Sequence, residues 1–163
     1  MRFFLALRSL LFLVLIPGTV TGYIPWRILQ ATRHLFVPAV SITTVLAMGV
    51  AMTGLTVLLR CVWDFFAAGR GTLAPFDPPK HLVVRGLYRF TRNPMYNGVL
   101  TLLLGEAWLF DSVALLEYAL VVFVVFHLTV IIYEEPALES QFGESYRAYR
   151  AAVPRWGFAV RKF

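Results

Sequence analysis

Two polar clusters interrupt an otherwise apolar chain, and their residue types suit a site for a charged small molecule. The first, residues 86–98, contains Tyr88, Arg89, Arg92, Asn93, Tyr96 and Asn97 between Gly86 and Gly98. The second opens on Tyr133-Glu134-Glu135-Pro136, continues through Phe142, Gly143, Glu144, Tyr146, Arg147 and Tyr149, and closes on Val153-Pro154-Arg155-Trp156. Arginine binds carboxylates bidentately, and tyrosine faces attract cations. Arg89 and Arg92 also serve as headgroup anchors, and Tyr88, Tyr96 and Tyr133 as interfacial aromatics. The adjacent glutamates fit neither role. Two neighbouring carboxylates repel each other and anionic lipid, so they call for cationic partners, either Arg92 or a bound cationic ligand.

Other chemistries find no support in the residues. Three scattered histidines and one cysteine have no metal-ligand spacing, and there is no Gly-rich phosphate loop or Ser-His-Asp arrangement. His127 reads as a helix-packing hydrogen bonder. Glu106 and Glu117 fall in or near apolar runs, where a charged carboxylate costs about 3 kcal/mol, with Glu117 near enough to the outer interface to be solvated. Cys61, the only cysteine, excludes an internal disulfide and reads as a lipid- or core-facing thiol.

The elements that must position these clusters are apolar helices. Of 163 residues, 59% are hydrophobic and only 15% charged, and mean hydropathy is +0.71. That leaves too few charges for a water-facing surface. Four apolar stretches stand out, at residues 3–20, 35–59, 95–110 and 113–133. The second and fourth reach the roughly 20 residues a membrane span needs, the first and third are shorter, and in lipid each must be helical. Arg2 and Arg8 lend the first stretch some likeness to a signal peptide. No clean small-x-small site follows, however, and residues 23–26 read as an interfacial belt. The expected architecture is one all-α domain over residues 1–163: two N-terminal spans in residues 1–60, then a hairpin and tail in residues 78–156. Residues 69–80 form a Gly- and Pro-rich loop. The tail, residues 136–153, reads as one amphipathic helix with Gly143 as its weak point and Pro154 as its stop.

Loop charge gives an orientation. Arg60, Arg70, Lys80, Arg85, Arg89 and Arg92 precede the third stretch, and Arg147, Arg150, Arg155, Arg161 and Lys162 follow the fourth. Only Asp111 lies in the turn between those stretches. Both basic regions are therefore expected on the cytoplasmic side, in a bacterial-type inner membrane or an endomembrane, with Asp111 opposite. Arg27 and Arg33 count against that scheme. The net charge of +6 is explained by topology and anionic headgroups, so membrane lipids and not nucleic acid are the expected partners. A turn this short makes the third and fourth stretches antiparallel neighbours and brings both clusters to one membrane face.

Taken together, the clusters closely resemble the motifs of the isoprenylcysteine carboxyl methyltransferase family and its relatives, the membrane phospholipid and amine methyltransferases. Those proteins share a pattern like G-x-Y-x-x-x-R-H-P-x-Y-x-G. After a helical hairpin come paired glutamates and a tail like F-G-x-x-Y-x-x-Y-x-x-x-V-P-R. The matching residues are Gly86, Tyr88, Arg92, Pro94, Tyr96 and Gly98, then Glu134, Glu135, Phe142, Gly143, Tyr146, Tyr149, Val153, Pro154 and Arg155. Asn93 stands where many members have His. Asn donates and accepts hydrogen bonds but does not titrate, so any role as a base at that position is absent here.

The resemblance implies S-adenosylmethionine-dependent methyl transfer to a lipophilic acceptor: an isoprenylcysteine-like carboxylate, a phospholipid amine or a hydrophobic thiol. It implies Arg92, Glu134 and Arg155 as the catalytic residues, with Arg155 steering an anionic acceptor group. It also implies cofactor contacts from Tyr88, Arg92, Asn93, Pro94, Tyr96, Gly98, Glu134, Glu135, Tyr146 and Tyr149. Arg92 and Asn93 suit the cofactor carboxylate, Glu134 and Glu135 its ammonium or ribose, and Tyr96 and the tail aromatics its adenine or sulfonium. Two other readings remain: a nicotinamide-dependent membrane reductase, by distant likeness to sterol reductases, and a non-catalytic scaffold, for which paired glutamates would have no purpose.

Overall fold

The structure, a computed structural model, describes residues 15–33, 39–68, 82 and 84–157. Among these it is helical without a strand. We label the helices α1 (Ile24–Ala31), α2 (Ile42–Ala68), α3 (Pro94–Leu109), α4 (Val113–Thr129), α5 (Glu135–Phe142) and α6 (Glu144–Ala152). A 3₁₀ turn, Gly86–Arg89, precedes α3. Wide π-helical turns lead into α1 and α5, at Thr19–Tyr23 and Val130–Glu134. Both end two residues before a proline, Pro25 and Pro136. A prolyl ring has no amide to donate and crowds the carbonyl four residues back, and a widened turn relieves that crowding without ending the helix.

Among the described residues two helices are long and apolar enough to cross a membrane: Ile42–Asp64, with 23 residues, and the continuous run Val113–Phe142, with 30. Helix α3, at 16 residues, is about 24 Å long, less than the roughly 30 Å of a hydrocarbon core. Most of the expected first span, residues 3–14, lies outside the described residues, as do the loop at 69–80 and the basic residues Arg161 and Lys162. Helix α2 runs well past the expected end at Leu59, supported by the i,i+4 pair Arg60–Asp64 at 3.5 Å. The tail corrects the single-helix expectation. Gly143 takes φ +53°, a left-handed conformation natural to glycine, and divides the tail into α5 and α6.

Helices α2 and α3 pack at backbone contact. A Cβ on Gly54 would lie 2.3 Å from the Leu102 amide nitrogen, and one on Gly105 would lie 2.4 Å from that of Ala51. Without a hydrophobic drive between helices in lipid, such close approach is what makes them associate. Helix α4 folds back on α3 through Asp111, at φ +47°, and Ser112, whose hydroxyl caps α4 by accepting the Leu115 amide hydrogen. Leu58, Val99, Leu103, Ala119 and Val122 form the core between the helices. The Tyr118 hydroxyl donates to the Val20 carbonyl at 3.0 Å, and Leu29 packs on Ala107 and Leu115. This puts the end of α1, with Arg27 and Arg33 around it, beside the Asp111 turn and at the opposite end of α3 from Arg92. These two arginines thus share an end with Asp111, away from both polar clusters.

Substituting Gly54 by Ala should destabilise the α2–α3 pair by about 2 kcal/mol or more, as forced overpacking does. Gly49→Ala, on a face with open space, should be neutral or stabilising. Unfolding of the two variants in detergent, followed by circular dichroism, checks this, and equal stability would refute the close contact.

Candidate functional site

The hairpin brings both clusters to one end, and their meeting point is Glu135. Its carboxylate, in a residue only 8% exposed, accepts from Arg155 Nε at 2.6 Å and from Arg155 Nη2 at 2.8 Å. Arg92 Nη1 reaches the same Oε1 at 2.9 Å and also donates to the Tyr146 hydroxyl at 3.3 Å. One carboxylate thus serves two guanidiniums, which leaves the trio with a net charge of +1. Arg92 Nε is buried and has no hydrogen-bond partner among the described residues. Glu134 is bound differently. It accepts the Tyr96 hydroxyl, and the Tyr96 ring stacks on Phe126 at 4.2 Å.

The wide turn before Pro136 sets this division. Each residue of an α-helix advances about 100°, so Glu134, eight residues after Phe126, would sit about 80° away from it in an unbroken helix. The π turn absorbs one residue and brings Glu134 back over Phe126, toward Tyr96. Glu135 likewise returns over His127, toward the tail. Adjacent carboxylates therefore meet different partners instead of each other.

The tail after α6 lies across the start of α3. The Arg92 amide donates to the Pro154 carbonyl at 2.9 Å. Asn93 Nδ2 donates to the Arg155 carbonyl at 3.2 Å, the Thr91 hydroxyl reaches the same oxygen at 3.5 Å, and Asn97 Nδ2 reaches the Gly157 carbonyl at 3.4 Å. The Trp156 indole N–H donates to His127 Nδ1 at 3.0 Å and its ring packs on Phe123 at 5.3 Å. Tyr146, Tyr149 and Val153 form a small core with Leu82, Val84, Leu138 and Phe142, and the Tyr149 hydroxyl donates to the Tyr88 carbonyl at 2.7 Å. Burial holds the Tyr146 and Tyr149 phenols above their ordinary range. The hydrogen bond to Glu135 raises Arg155 further.

Arg92, Asn93, Val130, Glu134, Glu135, Leu138, Tyr146 and Tyr149 line a cleft of about 240 Å³, open space included. Ten of the eleven expected site residues gather in and around it: Tyr88, Arg92, Asn93, Pro94, Tyr96, Glu134, Glu135, Tyr146, Tyr149 and Arg155. Pro94 begins α3 at a position suited to its fixed φ. Gly98 does not join them. It faces α2, where a Cβ would lie 2.9 Å from the Leu58 amide nitrogen, and the contact it makes is helix packing. Arg155 is committed to Glu135 and stands behind it, outside the cleft lining. His127 packs as expected and also carries Trp156. Thr91 and Asn97 are not among the expected site residues, because the hydrogen bonds that tie them to the tail run to its carbonyls, which no sequence pattern displays. The same holds for Asp64, whose carboxylate lies 2.3 Å from where a Cβ on Gly86, at φ +54°, would stand.

Glu135→Gln should lower stability by about 2–3 kcal/mol, since two guanidiniums lose their counter-charge and Arg155 keeps some solvent access. Deleting Ile132 should remove the residue that the wide turn absorbs, restoring a regular helix with Glu134 and Glu135 still in phase with Phe126 and His127. Helix content and Trp156 fluorescence should both stay as they are. A displaced tail in the deletion variant, or unchanged unfolding for Glu135→Gln, would refute these roles.

With this geometry in place, comparison with known proteins becomes informative. A family model described as phospholipid methyltransferase matches residues 42–145, nearly two thirds of the chain. The match covers α2, the whole first cluster, Glu134 and Glu135, and ends one residue before Tyr146. No curated protein and no solved structure matches the chain. The family is the one that contains the isoprenylcysteine carboxyl methyltransferase-like membrane methyltransferases. The chain belongs to the phospholipid methyltransferase family and is a membrane methyltransferase of the lipid-directed kind.

Proposed function

We propose that the chain transfers a methyl group from S-adenosylmethionine to the amine of a phospholipid, at the cytoplasmic face of a membrane it crosses four times. The observation that carries this reading is the charge layout of the cleft. One wall presents Arg92 and Glu135, backed by Arg155, so that the trio keeps a surplus positive charge and an Arg92 Nε without a partner among the described residues. The other presents Glu134, bonded to a neutral phenol. Fixed opposite charges across a small cleft suit a zwitterionic amino acid, whose carboxylate takes a guanidinium N–H and whose ammonium takes a carboxylate. The amino-acid end of the cofactor fits that pattern. Arg92 would hold its carboxylate and Glu134 its ammonium. The cleft's cavity volume is about 30 Å³, far below the roughly 300 Å³ at which ligand pockets begin, so the tail and hairpin must part to admit this end of the cofactor.

When bound, the cofactor supplies an activated methyl group on a sulfonium. What remains for the protein is alignment and exclusion of water. Tyr146 and Tyr149, 2% and 4% exposed, close the cleft on the tail side, and the Tyr96–Phe126 stack closes it toward the core. An amine acceptor must also lose a proton. Glu134 is the carboxylate of the cleft whose partner is a hydroxyl instead of an arginine, which leaves it able to accept one. Asn93, bonded to the Arg155 carbonyl, holds the tail in place and needs no titration to do so.

Calorimetry on the detergent-purified protein tests the reading. S-adenosylmethionine should bind and NADPH should not. Glu134→Gln should weaken cofactor binding about tenfold, the loss expected for one charge-assisted hydrogen bond, with thermal unfolding unchanged. Label from the methyl donor should then appear in phosphatidylethanolamine. Binding of neither cofactor would remove both enzyme readings, and NADPH binding alone would favour a reductase.

A further inference from the structure

We infer that the lipid acceptor reaches the cleft through the α3–α4 seam on the Asn97 and His127 side, and that Trp156 is the specificity-determining residue at that entrance. The inference rests on the reading of the cleft as a methyl-transfer site. The seam has two sides, built differently. On one, Tyr96 stacks on Phe126 and bonds Glu134, and Phe126 packs against the buried core around Val99 and Leu103. Opening that side means separating helices packed side chain to side chain.

The other side is spanned by residues 155–157, which form no helix. Arg155 is pinned by its side chain to Glu135 and by Asn93 and Thr91 on its carbonyl, while the hydrogen bonds beyond it are Asn97 on the Gly157 carbonyl and the Trp156 indole on His127. The Asn97 link is solvent-exposed, and Trp156 is itself only half-buried. The two outer links are neutral hydrogen bonds of modest net worth, so beyond Arg155 this side opens at lower cost than the packed one. Its position also fits an entrance. His127 lies eight residues before Glu135, about 12 Å along the helix, within the apolar run and away from the charged trio. One short strand of tail therefore touches Glu135 in the cleft through Arg155 and the apolar length of α4 through Trp156. A lipid whose headgroup lies in the cleft and whose chains lie in the bilayer must follow that path. The indole, seated on Phe123 and His127, fills the part of it where glycerol and the first chain carbons would pass.

The test uses the full chain in nanodiscs containing phosphatidylethanolamine with a diazirine near the top of one acyl chain. Photolysis is followed by peptide mapping. Label should fall on α3 around Asn97 and on α4 around Phe123 and His127. Trp156→Ala should raise labelling there about fivefold, the equivalent of one lost net hydrogen bond. Trp156→Phe, which keeps a ring but loses the N–H, should fall between, and it carries the comparison if the alanine variant does not fold. Label confined to the lipid-facing side of α2 around Met48 and Met52, or labelling of the seam that neither variant changes, would overturn the inference. Calorimetry with S-adenosylmethionine on the same samples separates the two claims. Failure of the wild-type protein to bind sinks the methyl-transfer reading whatever the labelling, whereas normal binding with label elsewhere sinks only the entrance.

Discussion

A single buried carboxylate, Glu135, joins the parts of this molecule that sequence keeps far apart. It lies at the end of one long helix and holds Arg92 from before the hairpin and Arg155 from after the last helix. Removing charges from water is costly unless they are paired and fully hydrogen-bonded, and here each guanidinium is paired only if the hairpin has closed and the tail has folded back. The ion trio is therefore more a condition on tertiary structure than a source of stability. It is met only in the arrangement that also forms the cleft.

That condition depends in turn on how the helix delivers its carboxylates. Two consecutive residues on a regular helix point about 100° apart, yet each must find its partner at the depth set by α3. The π turn before Pro136 supplies the correction by absorbing one residue, so that Glu134 lies with Phe126 and Tyr96 while Glu135 lies with His127 and the tail. A proline that would weaken an ordinary helix is thus what sets the phase of the site. At the other end of the protein the same offset recurs, with Thr19–Tyr23 ahead of Pro25. There it leads into the segment where Val20 receives the Tyr118 hydroxyl.

Packing between α2 and α3 fixes the frame against which all this is measured. Gly54, Gly98 and Gly105 let the two backbones touch. Gly98 belongs to this contact although it sits inside a motif whose Arg92 and Asn93 line the cleft. Glu106 is less easily placed in the fold: one of its carboxylate oxygens is buried without a partner among the described residues, on the far side of α3 from the site, and nothing in the mechanism uses it.

Much of the fold and of the site's membership was legible in the chain. The apolar runs at 95–110 and 113–133, the short turn with Asp111 and Ser112, and the adjacent glutamates required an antiparallel hairpin with both clusters at one end. Helical period and backbone satisfaction in an apolar medium leave little alternative. Hydrophobic pattern also anticipated that the tail would be helical and that Gly143 would be its weak point. What the pattern could not reveal was partnership. Whether Arg155 meets a substrate or Glu135, whether Gly98 faces a ligand or Leu58, and whether His127 carries Trp156 depend on helix phase and on contacts across 20 or more residues of chain. A one-residue change in helix phase, such as the one before Pro136, moves a side chain by about a quarter turn, and no local sequence signal records where it lands. Residue chemistry and order thus determined the class of site and the elements that carry it. Only the tertiary structure decided which charges neutralise one another and which are left for a ligand.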